Sequence, residues 1–101
     1  MREIFADSVY WIALINPADQ WFRQAHSVSS KLAKSAIVTT NDVLTETLNF
    51  YAGQGAARRD AASSFVRSIL LNVDIEVLPS TQDSFLDGLH FTSPGATRDI
   101  V

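Results

Sequence analysis

Two stretches decide the fold of this chain: Ile4-Phe5-Ala6-Asp7-Ser8 and Ile37-Val38-Thr39-Thr40-Asn41-Asp42-Val43-Leu44-Thr45-Glu46. Each is a short apolar run that gives way to polar residues suited to opening a helix. Such a run, bounded by capping residues, reads as a buried strand. Strands separated by helices pair in parallel through right-handed crossovers. Asp7 then ends the first strand, and Glu46 sits on the helix just past the second. Open parallel sheets place their ligands at that end of the strands. Two carboxylates meeting there suggest a divalent cation, and a divalent cation suggests phosphate chemistry.

Reading outward, Ser8 is expected to cap a helix over Val9 to Ile15, which Asn16-Pro17 ends. Asp19 is expected to cap a second helix, with Trp21, Ala25, Val28 and Leu32 on one apolar face. The second strand spans Ala36 to Thr39, and Asn41 is expected to cap a third helix that ends before Gly53 and Gly55. A fourth helix from Ala56 to Asn72 turns Ala62, Phe65 and Ile69 inward, with Val66 and Leu70 beside them. Ile75 to Leu78 is a third strand with Glu76 at its rim, closed by Pro79. Ser80-Thr81-Gln82-Asp83 resembles a capping box and opens a fifth helix to about Phe91. After the Pro94-Gly95 turn, Ala96 to Val101 shows no period.

The expected order is βααβααβα, an α/β fold with a short parallel sheet. Three strands are few for a covered sheet, so the final strands look missing. The expectation is one domain over 1–91 lacking its C-terminal part, with an irregular tail over 92–101.

Composition narrows the function. Hydrophobic residues make up 47% and charged residues 19%, as in a globular domain. No cysteine is present, which excludes disulfides, thiol nucleophiles and Cys-based zinc sites, and suits a reducing cytoplasm. No signal peptide or membrane span is visible. A net charge of −3 argues against a broad nucleic-acid-coating surface, though a local basic rim is compatible with it.

Glu46 shares a helical face with Val43 and Phe50, where a carboxylate is costly to bury without a cation or donor. The competing reading is that Asp7 only caps a helix and Glu46 points to solvent. Ser8 and Asn49 are candidates to support the site behind the ligands. Their alternatives are a helix cap for Ser8 and a solvated helix face for Asn49. Arg58 and Arg59 open the fourth helix, where cations oppose the helix dipole. They are candidates for contact with a phosphate backbone or a partner carboxylate, or are ordinary surface charge. His26 and His90 have no metal-type spacing. Gly53-Gln54-Gly55 follows a helix and is no phosphate loop, and no serine-nucleophile signature is present.

The chain resembles the PIN domain, specifically the small VapC-type toxins. Ile4 to Leu14 looks like that family's opening, a strand ending in Asp followed by a hydroxyl residue and an aromatic-rich helix. Thr39 to Asn49 looks like its second acidic segment. Ile75-Glu76-Val77-Leu78-Pro79, with Phe85, Gly88 and Leu89, looks like its third strand and following helix. The resemblance implies a PIN-like three-layer sandwich and a Mg²⁺- or Mn²⁺-dependent endoribonuclease acting on RNA. Asp7 and Glu46 would be two of its metal ligands. It also implies a homodimer and a small antitoxin-like partner; the cytoplasmic location expected is the one that the lack of cysteine and of a signal peptide suits.

Three departures stand out. Val9 replaces a frequent serine, and Asn41 replaces a frequent aspartate. The family's next acid has no counterpart, because Asp99 comes too early and lacks the matching context. The expectations are therefore weak metal binding, impaired cleavage and a chain that is not a stable monomer. Its association would use the aromatic-rich helices around Trp11 and Trp21. The alternatives are a catalytically inactive PIN-like protein acting by dimerisation or antitoxin-type partner binding, and a decayed gene product with no selected role.

Overall fold

The three apolar runs form strands, and four helices connect them. A computed structural model describes residues 3–79 and 99–100. In chain order the elements are β1 (Glu3–Phe5), α1 (Ser8–Ile15), α2 (Phe22–Lys31), β2 (Ala36–Thr40), α3 (Asn41–Ala52), α4 (Ala56–Leu71), β3 (Ile75–Leu78) and β4 (Asp99–Ile100). The sheet order is β3-β2-β1-β4, and every pairing is parallel. The α/β fold with a short parallel sheet is thus the one the sequence predicts.

The fourth strand corrects one expectation. Asp99–Ile100 falls inside the tail expected to be irregular, yet it pairs with β1 in the register Ile4↔Asp99 and Phe5↔Ile100. Two residues are too few to show a period, so sequence patterning could not reveal this strand. The expected helix from Ser80 to Phe91 lies outside the described residues.

Side-chain alternation along the paired strands places Ile4, Ala6, Ile37, Thr39, Ile75 and Val77 on one face. The core gathers over that face. Ala6, Trp11, Val43, Leu44, Val66 and Ile69 form its buried cluster, which draws on α1, α3 and α4. The aromatic ring of Trp11 meets Phe65 edge-on at a centroid distance of 5.8 Å.

Helix faces differ from the predicted ones where polar residues are buried. In α3 the inward positions are Val43, Leu44, Thr47 and Tyr51. Thr47 goes inside because its hydroxyl donates back to the Val43 carbonyl at 2.9 Å, which satisfies it within the helix. Tyr51 is fully buried and its hydroxyl donates to the Ile12 carbonyl at 2.6 Å, tying α3 to α1. In α2 the apolar face is narrower than expected: Ala25 is buried, whereas Trp21 precedes the helix and stands half exposed. Asp19 does not cap α2. It accepts from the Trp21 N–H at 2.8 Å in the turn before the helix. In α4 Ala62, Val66 and Ile69 are buried, and Leu70 is turned outward.

Candidate active site

Strands β1 and β2 end side by side, and each runs directly into a helix. Continuing the register Phe5↔Val38 by two residues sets Asp7 level with Thr40. The Ala6 N–H still donates to the Val38 carbonyl at 2.8 Å, so the pairing persists to the edge of the site. Asp7 is the N-cap of α1, and Thr40 is the N-cap of α3. Two helix N-termini, each with N–H groups that have no partner within the helix and with partial positive charge, therefore open at one edge of the sheet.

Both caps lie one residue before the expected ones. Asp7 caps α1 in place of Ser8: its Oδ1 accepts from the Ser8 N–H at 2.7 Å. Asp7 is half-buried, whereas Ser8 is buried. Thr40 caps α3 in place of Asn41, its hydroxyl accepting from the Val43 N–H at 3.1 Å. A threonine belonging to the strand can cap as well as an asparagine after it, because the N-cap keeps extended backbone.

Behind Asp7 lies a hydrogen-bond network that the sequence reading assigned no role. Thr39 is fully buried, and its hydroxyl donates to the Ala6 carbonyl at 3.0 Å. The same hydroxyl accepts from the Trp11 indole Nε1–H at 3.1 Å. This use of Trp11 corrects the expectation that it contributes to a dimer surface: it is a core residue, 4% exposed. The sequence signal was two hydroxyl residues, Thr39 and Thr40, ending an apolar strand.

Glu46 lies on the outer face of α3 and is exposed, as are Asn49 three residues on and Phe50 four on. The expected apolar stripe through Val43, Glu46 and Phe50 is not a buried stripe, since Thr47 and Tyr51 take the inward positions. Glu46 therefore pays no burial penalty and stands one and a half turns along α3 from the edge where Asp7 lies. Arg58 and Arg59 are exposed in the first turn of α4. Burial pushes the Tyr51 hydroxyl pKa up, with the Asp19 charge adding to the rise and the Arg58 charge opposing it. His26 is exposed and its ring lies 4.3 Å from that of Phe22, while His90 lies outside the described residues.

No group of three or more His, Cys, Asp or Glu side chains that could hold a metal ion exists among the described residues. Asp99 stands level with Ile4 in the sheet, three residues short of the level of Asp7, about 10 Å along the strand direction. A depression of about 360 Å³, lined in part by Glu3, Lys34, Val73 and Glu76, lies at the opposite, amino-terminal end of β2 and is not the candidate site. No helix among the described residues is long and apolar enough to cross a membrane.

Comparison with known proteins places this edge in context. No family model matches the chain, and no curated protein matches it. Among solved structures, the chain is similar to the VapC20 toxin of Mycobacterium tuberculosis, described as a sarcin–ricin loop cleaving toxin. The TM-score is 0.69 at 25% identity, over 88% of this chain and 64% of that one. The likeness supports a PIN-like, VapC-like fold for the chain.

Proposed function

We propose that this chain is a PIN-type, VapC-like endoribonuclease dependent on Mg²⁺ or Mn²⁺, with Asp7 and Glu46 as its metal-binding carboxylates. The observation that carries the reading is Asp7 at the carboxyl edge of a parallel sheet whose fold is similar to that of an RNA-cleaving toxin. The donor chemistry suits a hard cation. Asp7 commits Oδ1 to its cap, so Oδ2 would meet the cation. Glu46, exposed and anionic, would supply the second carboxylate. Mg²⁺ keeps several waters and needs only one or two carboxylates. Such a donor set binds it weakly.

A bound cation supplies charge neutralisation at the phosphodiester and an activated water. The residues of this chain orient the substrate around it. The partial positive charge at the starts of α1 and α3 would favour a phosphate oxygen. Ser8 and Asn49 flank the two carboxylates in the chain, and Arg58 and Arg59 would contact the RNA backbone or an acidic partner. We place the protein in the cytoplasm, with RNA as substrate and a second copy or a small antitoxin-like protein as partner.

The two-carboxylate set favours a second reading as well: a PIN-like protein without useful catalysis that acts by dimerisation or by binding an antitoxin-like partner. Purified protein incubated with structured RNA and MnCl₂ separates the two. The expected result is slow cleavage that EDTA abolishes and that Asp7→Asn and Glu46→Gln each eliminate. No cleavage together with tight partner binding selects the second reading. Cleavage untouched by Asp7→Asn overturns the assignment of the site.

A further inference from the structure

The geometry points to Thr39 as a positioning residue that fixes Asp7, an inference resting on the reading of Asp7 as a metal ligand. Three hydrogen bonds link Ala6, Asp7, Trp11 and Thr39 into a closed ring. The Thr39 hydroxyl donates to the Ala6 carbonyl at 3.0 Å. That carbonyl belongs to the planar peptide unit joining Ala6 to Asp7, so holding it sets the orientation in which the Asp7 backbone begins. The Asp7 carbonyl in turn accepts from the Trp11 N–H at 3.3 Å. Trp11 closes the ring, its indole N–H donating to the Thr39 hydroxyl at 3.1 Å. Both sides of Asp7 are thereby tied to one side chain on the neighbouring strand.

Threonine suits the task. Its hydroxyl offers one donor and two acceptor sites, and here it uses the donor and an acceptor in opposite directions. Its branched Cβ restricts the rotamer, so the hydroxyl is aimed before Asp7 arrives. Full burial excludes water as a substitute partner. Removing the hydroxyl leaves the Ala6 carbonyl and the Trp11 indole N–H without it, and the Ala6–Asp7 peptide is free to tilt. A ligand carboxylate that tilts loses its preorganised direction, and partners that orient metal ligands typically matter by about 10- to 100-fold in affinity.

The test compares Thr39→Val, Thr39→Ser and Thr47→Val with the wild type. Thr47 is an equally buried threonine whose hydroxyl serves only α3, so Thr47→Val controls for loss of a buried hydroxyl as such. Two quantities are read. Amide exchange of Ser8 in EDTA reports the Asp7 cap with no metal present, and Mn²⁺ affinity, followed by electron paramagnetic resonance of free Mn²⁺, reports the carboxylate. Thr39→Val is expected to speed Ser8 exchange and weaken Mn²⁺ binding about tenfold, with Thr39→Ser restoring both to within about threefold and Thr47→Val changing neither. Should Thr39→Val not fold, replacing Trp11 by its benzothienyl isostere keeps the bicyclic ring in the core, removes the indole N–H and is expected to move both readouts in the same direction. Unchanged Ser8 exchange and Mn²⁺ affinity in the folded variant, or equal losses in Thr47→Val, overturn the role of Thr39. A wild type that binds no Mn²⁺ sinks the ribonuclease reading instead, and Ser8 exchange still decides what Thr39 does.

Discussion

Asp7 has two separable duties, and substitutions at this one position distinguish them. Its Oδ1 satisfies the first N–H of α1, and its charge sits at the positive end of that helix. Asn keeps the acceptor and loses the charge, so Asp7→Asn should cost about 0.5 kcal/mol, the surface-dipole contribution. Ala loses both, so Asp7→Ala should cost about 1.5 kcal/mol. Urea denaturation of the two variants checks the difference, and equal losses would show that the cap contributes nothing. Glu46→Gln should leave stability within about 0.5 kcal/mol, since the side chain is exposed. Both Asp7→Asn and Glu46→Gln should nonetheless eliminate Mn²⁺ binding, which titration calorimetry measures directly. On the proposed reading, stability and metal binding would part company at the two acids.

At the scale of elements, the α1–α3 joint turns on one hydroxyl. The Tyr51 O–H donates to the Ile12 carbonyl at 2.6 Å, so Tyr51→Phe should cost about 1 kcal/mol at neutral pH. Burial raises the folded-state pKa of this hydroxyl above its ordinary 10.0. The folded protein then keeps the proton at a pH where the unfolded chain has released it. This contribution is complete below pH 10.0 and declines as pH rises through the folded value. The gap in stability between wild type and Tyr51→Phe should therefore narrow in denaturant titrations carried from pH 8 towards strongly alkaline pH. A constant gap would reject the linkage. The same joint shows what the sequence could disclose. The runs at Ile4, Ile37 and Ile75 announced three strands, because a continuous apolar run between capping residues has few other uses in a short parallel sheet. The inward faces were less legible. Thr47 and Tyr51 carry hydroxyls, so a count of apolar positions passed over them, yet each satisfies its hydroxyl locally and packs as a core residue. Without them, an apolar count sets the buried stripe on Val43, Glu46 and Phe50. Asp7 and Thr39 differ for a similar reason. An acid ending a strand is visible in one dimension, whereas the Thr39 network joins residues 28 and 33 positions apart and exists only once the strands pair.

At the scale of the whole molecule, apolar side chains stand exposed at one edge of the sheet. Leu71 is 83% exposed and Val73 97% exposed, and Leu70 beside them is more than half exposed. All three cluster where α4 ends and the chain turns into β3, the strand at one edge of the sheet. A single exposed apolar residue means little, but three together beside a sheet edge favour association. The chain should therefore sediment as a dimer or larger species at micromolar concentration, with a fraction that rises with loading. The double variant Leu71→Lys, Val73→Lys should shift it towards monomer. Because both side chains already face water, the substitution should change unfolding free energy by no more than about 0.5 kcal/mol per site. Trp21→Lys tests the competing surface at the start of α2, where Trp21 stands half exposed. If association responds to Trp21→Lys and ignores the α4 pair, the interface lies at α2. A wild type that sediments as a monomer at all concentrations, with concentration-independent unfolding, would mean that one copy of the chain stands alone and that neither patch is an interface between copies.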